Sequence, residues 1–304
     1  MPDERLMGTA TRLAASLETL AALAAHLRIE QEGLDIDPRQ RVVLRAIATE
    51  VCGEAPDVGA AGGPVVGMTQ TLLAQALDLV AHPDRPPGWA HAEPALLQGA
   101  GRMSMAIAPA IRVAAERLAG LGERLSRPGA TLLDVGAGTG WLCIALARTF
   151  PAARIIGIDI HEPALALARG NVAAAGLGDR VELRLQDATT LDDSGGYDAI
   201  WLAMPFLPKE LVPAVLAGAV RSLRPGGWVL PGLYAGPPEH LAELMCDLRT
   251  LRSGGHPWRA EELLAELAGA GFAEAHEVRR TWTAPVRLFA GRVGVSVAAG
   301  AQRD

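Results

Sequence analysis

The stretch Leu132-Leu133-Asp134-Val135-Gly136-Ala137-Gly138-Thr139-Gly140 decides how this chain reads. A short apolar run of strand length passes into a turn with glycine at every second position. The helical pattern Trp141-Leu142-Cys143-Ile144-Ala145-Leu146 follows at once. Glycine adopts positive φ without penalty and has no Cβ, so the backbone turns tightly and a ligand can approach it. The helix behind the turn presents N–H groups that lack intrahelical partners. Strand, glycine turn and helix in this order form the ligand-binding corner of an open α/β sheet. A dinucleotide fingerprint needs glycine at 136, 138 and 141; position 141 is Trp and the third glycine is Gly140, which argues against a nicotinamide-dependent oxidoreductase.

Outward from this corner, short apolar runs alternate with helical ones. Strands are expected at 131–135, 154–158, 181–185, 199–202 and 228–230, with a last pair near 277–282 and 286–293. Helices are expected at 141–150, 163–175, 209–223, 238–249 and 258–270. Alternation of this kind builds βαβ units and a mostly parallel sheet with helices on both faces. The closing pair has no helix between its members, so one of them runs antiparallel to the rest.

The chain before residue 88 reads differently. Leu13, Leu17, Leu20, Leu23 and Leu27 share one helical face. Asp37-Pro38 is a helix start, with a helix to about Val51. The segment Gly53 to Gly67, including Gly59-Ala60-Ala61-Gly62-Gly63, reads as a loop, followed by a helix over 69–81. His82-Pro83-Asp84-Arg85-Pro86-Pro87-Gly88 breaks the pattern, and the helical run 94–125 leads into the sheet. The expected organisation is an all-helical N-terminal domain, residues 1–88, acting as a lid or dimerisation element, and a ligand-binding domain, residues 89–304.

Composition narrows the function. The 304 residues include 28 Lys and Arg against 34 Asp and Glu, a net charge of −6, and only 4% aromatics. Neither a broad basic face nor a stacking platform for nucleic acid is indicated. Cys52, Cys143 and Cys246 match no metal-ligand spacing, so no metal is expected and the thiols read as reduced. No apolar run reaches membrane-spanning length and no leader pattern opens the chain; the expected location is the cytoplasm.

The spacing Gly-x-Gly-x-Gly resembles the first motif of class I S-adenosylmethionine-dependent methyltransferases, and four further phrases agree in order. Asp159 ends the second strand, 19 residues after Gly140. Gln186-Asp187-Ala188 follows the third. Ala203-Met204-Pro205-Phe206 follows the fourth, and Leu223-Arg224-Pro225-Gly226-Gly227 introduces the fifth. The resemblance covers roughly residues 93–293. It implies a Rossmann-like, seven-stranded, mostly parallel sheet and S-adenosylmethionine as cofactor. By the same resemblance the cofactor is held by Asp134, Gly136, Ala137, Gly138, Thr139, Gly140, Asp159, Ile160, Gln186, Asp187 and Ala188. Asp159 is expected to accept both ribose hydroxyls, and Asp187 the adenine amino group. Asp134 is expected to be a buried acceptor beneath the loop.

Methyl transfer from a sulfonium needs alignment and exclusion of water more than a catalytic signature. Family members that methylate amide or nucleobase nitrogens often carry Asn-Pro-Pro-Tyr or Asp-Pro-Pro-Tyr after the fourth strand. This chain has Ala203 at the first position, against glutamine and DNA-adenine methylation. The His-Asp signature of plant-type O-methyltransferases is also absent there. Candidate catalytic residues are therefore His91, Tyr234 and His240, and candidate pocket residues are Trp89, Arg102, Met103, Met204 and Phe206. The expected activity is methylation of an O or N atom of a small, hydrophobic acceptor of the secondary-metabolite kind, with a possible homodimer through the N-terminal helices. The alternatives are a protein- or RNA-modifying methyltransferase and a non-catalytic S-adenosylmethionine-binding subunit.

Overall fold

The computed structural model describes residues 2–54, 56, 59, 62–89 and 91–294. They form two compact units, Met1–Pro83 with Gln98–Met103, and Asp84–Leu97 with the residues from Ser104 onward. Among the described residues no helix is long and apolar enough to cross a membrane.

The first unit is helical. α1 (Pro2–Glu32) packs against α2 (Pro38–Cys52) and α3 (Gly62–Ala81). Asp37 caps α2, accepting the Arg39 N–H at 2.8 Å, with Pro38 in the first turn; Gly53, at φ +76°, ends the helix. α3 begins at Gly62, seven residues before its expected start at 69, so part of the expected Gly53–Gly67 loop is helix. Gly67 is there a contact surface rather than a breaker. A Cβ on it would lie 2.9 Å from the Gly99 carbonyl oxygen of α4 (Pro94–Ser104), so glycine lets the two backbones meet. The loop positions 55, 57, 58, 60 and 61 lie outside the described residues.

The expected single run 94–125 is three helices: α4, whose residues Gln98–Met103 belong to the first unit, then α5 (Ile107–Arg117) and α6 (Leu121–Leu125) of the second. Gly120, at φ +73°, turns the chain between the last two. The sheet then builds from β1 (Thr131–Val135), β2 (Arg154–Asp159), β3 (Val181–Leu185), β4 (Tyr197–Ala203), β5 (Leu223–Tyr234), β6 (Ala273–Val278) and β7 (Val286–Arg292), in the order β3-β2-β1-β4-β5-β7-β6. β1 to β5 pair in parallel, and β7 is antiparallel to both its neighbours. The helices between strands are α7 (Trp141–Thr149), α8 (Glu162–Ala174), α9 (Val212–Ser222), α10 (His240–Arg252) and α11 (Ala260–Gly269).

Alternation along the strands divides the core into two layers. Leu132 and Trp201 join α5, α6 and α7 on one face; Leu133, Val135, Ile200 and Leu202 join α9 and α11 on the other. β5 is far longer than the expected 228–230: Pro225-Gly226-Gly227 lies within its span as an irregularity, the pairing with β4 passing from Leu223 to Trp228. β6 lies earlier than the expected 277–282: Trp282 turns inward, its indole N–H donating to the Val286 carbonyl at 2.8 Å.

Candidate functional site

The glycine turn after β1 is tied to the end of β2 by its own backbone. The N–H groups of Gly136 and Ala137 both donate to the Ile158 carbonyl, at 2.9 and 3.0 Å. Gly136, Gly138 and Gly140 all have positive φ. Gly140 also lets α8 approach, since a Cβ on it would lie 3.1 Å from the Ala168 Cβ. Asp159 adds a side-chain tie. One carboxylate oxygen accepts the Gly138 N–H at 2.7 Å and the other the His161 N–H at 2.8 Å. Asp159 therefore holds the loop, and each of its oxygens keeps one further acceptor site.

β3 brings the next group alongside. The Gln186 N–H donates to the Asp159 carbonyl at 3.0 Å, which sets Asp159, Gln186 and Asp187 side by side. One Asp187 oxygen is occupied by the N–H and hydroxyl of Thr189, both at 2.8 Å, capping the single turn Ala188–Thr190. Ile160 and Leu185 are 73% and 58% exposed on either side of this acidic edge. Two carboxylates with spare acceptor sites beside exposed aliphatic side chains suit a ribose diol and an aromatic base. These residues therefore fit an adenosine-bearing cofactor.

Asp134 lies beneath the turn, fully buried. Its Oδ2 accepts the Cys143 thiol at 3.1 Å, while Oδ1 has no hydrogen-bond partner among the described residues. Burial pushes the carboxyl up to about 7; the charge of Asp159 raises it further and the thiol opposes. The Cys143 thiol is pushed well above its ordinary value by the same burial.

The ends of β4 and β5 carry the aromatic residues. A Cβ on Gly136 would lie 3.7 Å from the Ala203 side chain, so the glycine turn and the end of β4 are neighbours. Beyond Ala203 the ring of Phe206 stands edge-on to Trp89, with centroids 5.3 Å apart, and 6.5 Å from Tyr234; Trp89 is 4.9 Å from His91. Trp89 and His91 reach this place because the Gly88 N–H donates to the Arg252 carbonyl at the end of α10. Four of the sequence-selected residues thus meet. Phe206 is 41% exposed, whereas Met204 is fully buried in the core with Leu133 and Leu202. Met204 does not line a pocket: the single turn Met204–Phe206 rotates it inward and its neighbour outward. Arg102 and Met103 lie on α4 in the first unit.

Tyr234 is poorly suited to be a base. Burial raises its phenol above the ordinary value, although a hydrogen bond with Ser253 and the Arg249 guanidinium, 5.5 Å from the ring centre, pull it down. Behind Tyr234 a cavity of about 460 Å³ opens between β5 and α10, lined by Pro237, His240, Cys246, His256, Trp258 and Arg287 among others. Sequence reasoning missed Ser253, Arg249 and Cys143. Each acts through a partner distant in the chain, and no local pattern announces such pairs.

Residues 132–227 match the family model described as a methyltransferase domain. The chain is 34% identical over 176 residues to nocamycin O-methyltransferase of Saccharothrix syringae, covering 50% of this chain and 62% of that one. It is 38% identical over 157 residues to a release factor glutamine methyltransferase of Cereibacter sphaeroides, covering 48% and 54%. The chain thus spans between about half and three-fifths of these curated relatives. Among solved structures, human N-acetylserotonin methyltransferase in complex with S-adenosylmethionine superimposes with a TM-score of 0.65 at 13% identity, covering 97% of this chain and 99% of that one. That likeness concerns the fold. Residues 132–227 are thus similar to a methyltransferase domain, and the strand order and the glycine turn with its acidic edge agree with that similarity.

Proposed function

We propose that this protein is an S-adenosylmethionine-dependent methyltransferase acting on an O or N atom of a small, mainly apolar acceptor. The observation that carries the reading is the group Trp89, Phe206 and Tyr234 beside the glycine turn, where one ring is still 41% exposed. When bound, the cofactor supplies an electrophilic methyl group, so the demanding chemistry is its own. Asp159 and Asp187 accept its hydroxyl and amino hydrogens; Ile160 and Ala188 cover the base; Gly136 to Gly140 let the backbone come close. Trp89 and Phe206 orient the acceptor and exclude water. His91 takes the proton that a hydroxyl or amine acceptor must lose. Tyr234 positions, and His240 lines the neighbouring cavity.

Nocamycin O-methyltransferase names a small-molecule acceptor, which supports the reading. The release factor enzyme names a protein glutamine, but Ala203 offers no side-chain acceptor for an amide NH₂. The homodimer belongs to the same reading and is checked by light scattering on the full chain. The decisive test is transfer of labelled methyl from S-adenosylmethionine to a panel of phenols, hydroxylated heterocycles and amines, alongside calorimetric titration of S-adenosylhomocysteine. Binding plus transfer to small aromatic acceptors is expected. Transfer only to protein or RNA, or no binding, overturns the proposal.

A further inference from the structure

We infer that Asp134 couples a proton to the charge of the cofactor: it ionises beside the cationic methyl donor and takes up a proton from solvent once transfer leaves the neutral thioether. This rests on the functional reading above and goes beyond it.

The geometry is unusual for a structural carboxylate. Asp134 is 0% exposed, two residues before the first glycine of the turn, and one of its oxygens has no partner. A buried carboxylate held only for stability is normally saturated with strong donors. Among the described residues the single donor is a thiol, a weak one, at 3.1 Å. In register on either side stand Gly157 of β2 and Trp201 of β4, neither of them charged. Gly157 is tightly enclosed, since a Cβ there would lie 2.7 Å from the Cys143 sulfur. The titratable groups facing Asp134 are Cys143 of α7, whose thiol stays protonated, and Asp159 of β2, whose negative charge opposes ionisation. Burial places the carboxyl near 7, where a modest change in the local field moves its proton.

The reaction supplies that change. The C–S bond breaks, its electron pair returns to sulfur, and a bond forms between the methyl carbon and the acceptor atom. The acceptor's own proton leaves through His91 to solvent. One positive charge has then disappeared next to the glycine turn. A carboxylate stabilised by that charge becomes a stronger base and binds a proton from water, closing its O–H bond. By linkage the neutral product and the cationic donor must bind with different proton counts, and their affinity ratio must depend on pH.

The test is calorimetry of the full chain at pH 7 in two buffers of different ionisation enthalpy. The ligands are S-adenosylhomocysteine and sinefungin, in which an ammonium stands for the sulfonium. Wild type is expected to bind the neutral ligand with a measurable excess of protons, up to about one per site. The ratio of the two affinities then shifts severalfold between pH 6 and 8. Asp134→Asn removes both the proton difference and the pH dependence. Cys143→Ser, with a stronger donor on the same oxygen, moves the pH of the maximal difference downward and serves if Asp134→Asn does not fold. Equal proton counts in wild type, or a difference that persists in Asp134→Asn, overturns the inference while leaving the function intact. If neither ligand binds, it is the functional reading that falls.

Discussion

Asp159 and Gly138 are joined by a charge-assisted hydrogen bond of 2.7 Å across 21 residues of chain, so the carboxylate expected to meet the cofactor also fixes the shape of the turn that meets it. A second bond, from the His161 N–H at 2.8 Å, completes the clamp. Ligand affinity and loop order are therefore one property at this residue. Hydrogen bonds to a charged group are worth roughly 1.5–3 kcal/mol each. Asp159→Ala is expected to weaken S-adenosylhomocysteine binding by at least tenfold and also to lower the melting temperature. Asp159→Asn, which keeps one acceptor oxygen, should fall between. Calorimetry and thermal denaturation on the same samples check this; a variant with full affinity refutes the clamp.

The aromatic group makes a different prediction. Phe206 is 41% exposed and edge-on to Trp89, so its ring contributes little to the core. Phe206→Ala should leave folding and cofactor affinity nearly unchanged. Its kcat/KM for the acceptor should fall about tenfold, in keeping with the roughly 0.5–1.5 kcal/mol of a specific aromatic contact. Equal losses in cofactor and acceptor binding would assign Phe206 a structural role instead.

His91 and Tyr234 are separated by their environments. Burial raises the Tyr234 phenol, which keeps it protonated through neutral pH, so Tyr234→Phe should retain kcat within a few-fold. His91→Ala should lower kcat by about 10² or more and flatten the acidic limb of the pH–rate profile, as loss of a general base does. Steady-state kinetics from pH 5.5 to 9 with an ionisable acceptor distinguish the two. A phenol-dependent loss in Tyr234→Phe would reverse the assignment.

Asp134 sets a stability trend with pH. Its carboxyl titrates near 7 in the folded chain, above the ordinary 3.8, so the native state binds the extra proton between these values. Its contribution is complete below about 3.8 and is lost as pH rises through about 7. Relative to wild type, Asp134→Asn should gain stability as pH goes from 5 to 8. Thermal unfolding at several pH values gives the result, and parallel curves for the two proteins would contradict it.

Gly232 tests the packing beneath the site. A Cβ on it would lie 2.0 Å from the Trp201 ring, which crosses β5 at that point. Overpacking of this kind typically costs 1–3 kcal/mol. Gly232→Ala should be destabilising alone and less so in combination with Trp201→Phe. Denaturant unfolding of the four members of the cycle measures the coupling, and strict additivity would show that the ring has moved away.

Much of the fold was legible along the chain because its signals are local. The run Leu132–Val135, the alternating glycines and the helical pattern from Trp141 are contiguous. Asp159 ends a strand whose apolar run is equally plain, and Asp187 follows two residues after the alternating strand β3. Boundaries failed where glycine or proline did not act as punctuation. Gly67 lies inside α3 because it meets Gly99, and Pro225-Gly226-Gly227 lies inside the span of β5, bulging out of its pairing with β4 while Gly226 and Gly227 exchange backbone hydrogen bonds with Val293. Met204 and Phe206 were indistinguishable as apolar neighbours until one turn of 3₁₀ helix sent one inward and the other outward.

Sequence alone therefore determined the order of elements, the glycine turn and the acidic residues at strand ends, since each depends on backbone preferences and periodicity within a few residues. Tertiary structure alone decided that Trp89 and His91 join Phe206 and Tyr234, that Asp159 holds Gly138, and that Cys143 donates to a buried Asp134. Those pairings span from 9 to more than 100 residues of chain, and only the closing of the sheet brings their atoms into hydrogen-bond or van der Waals range.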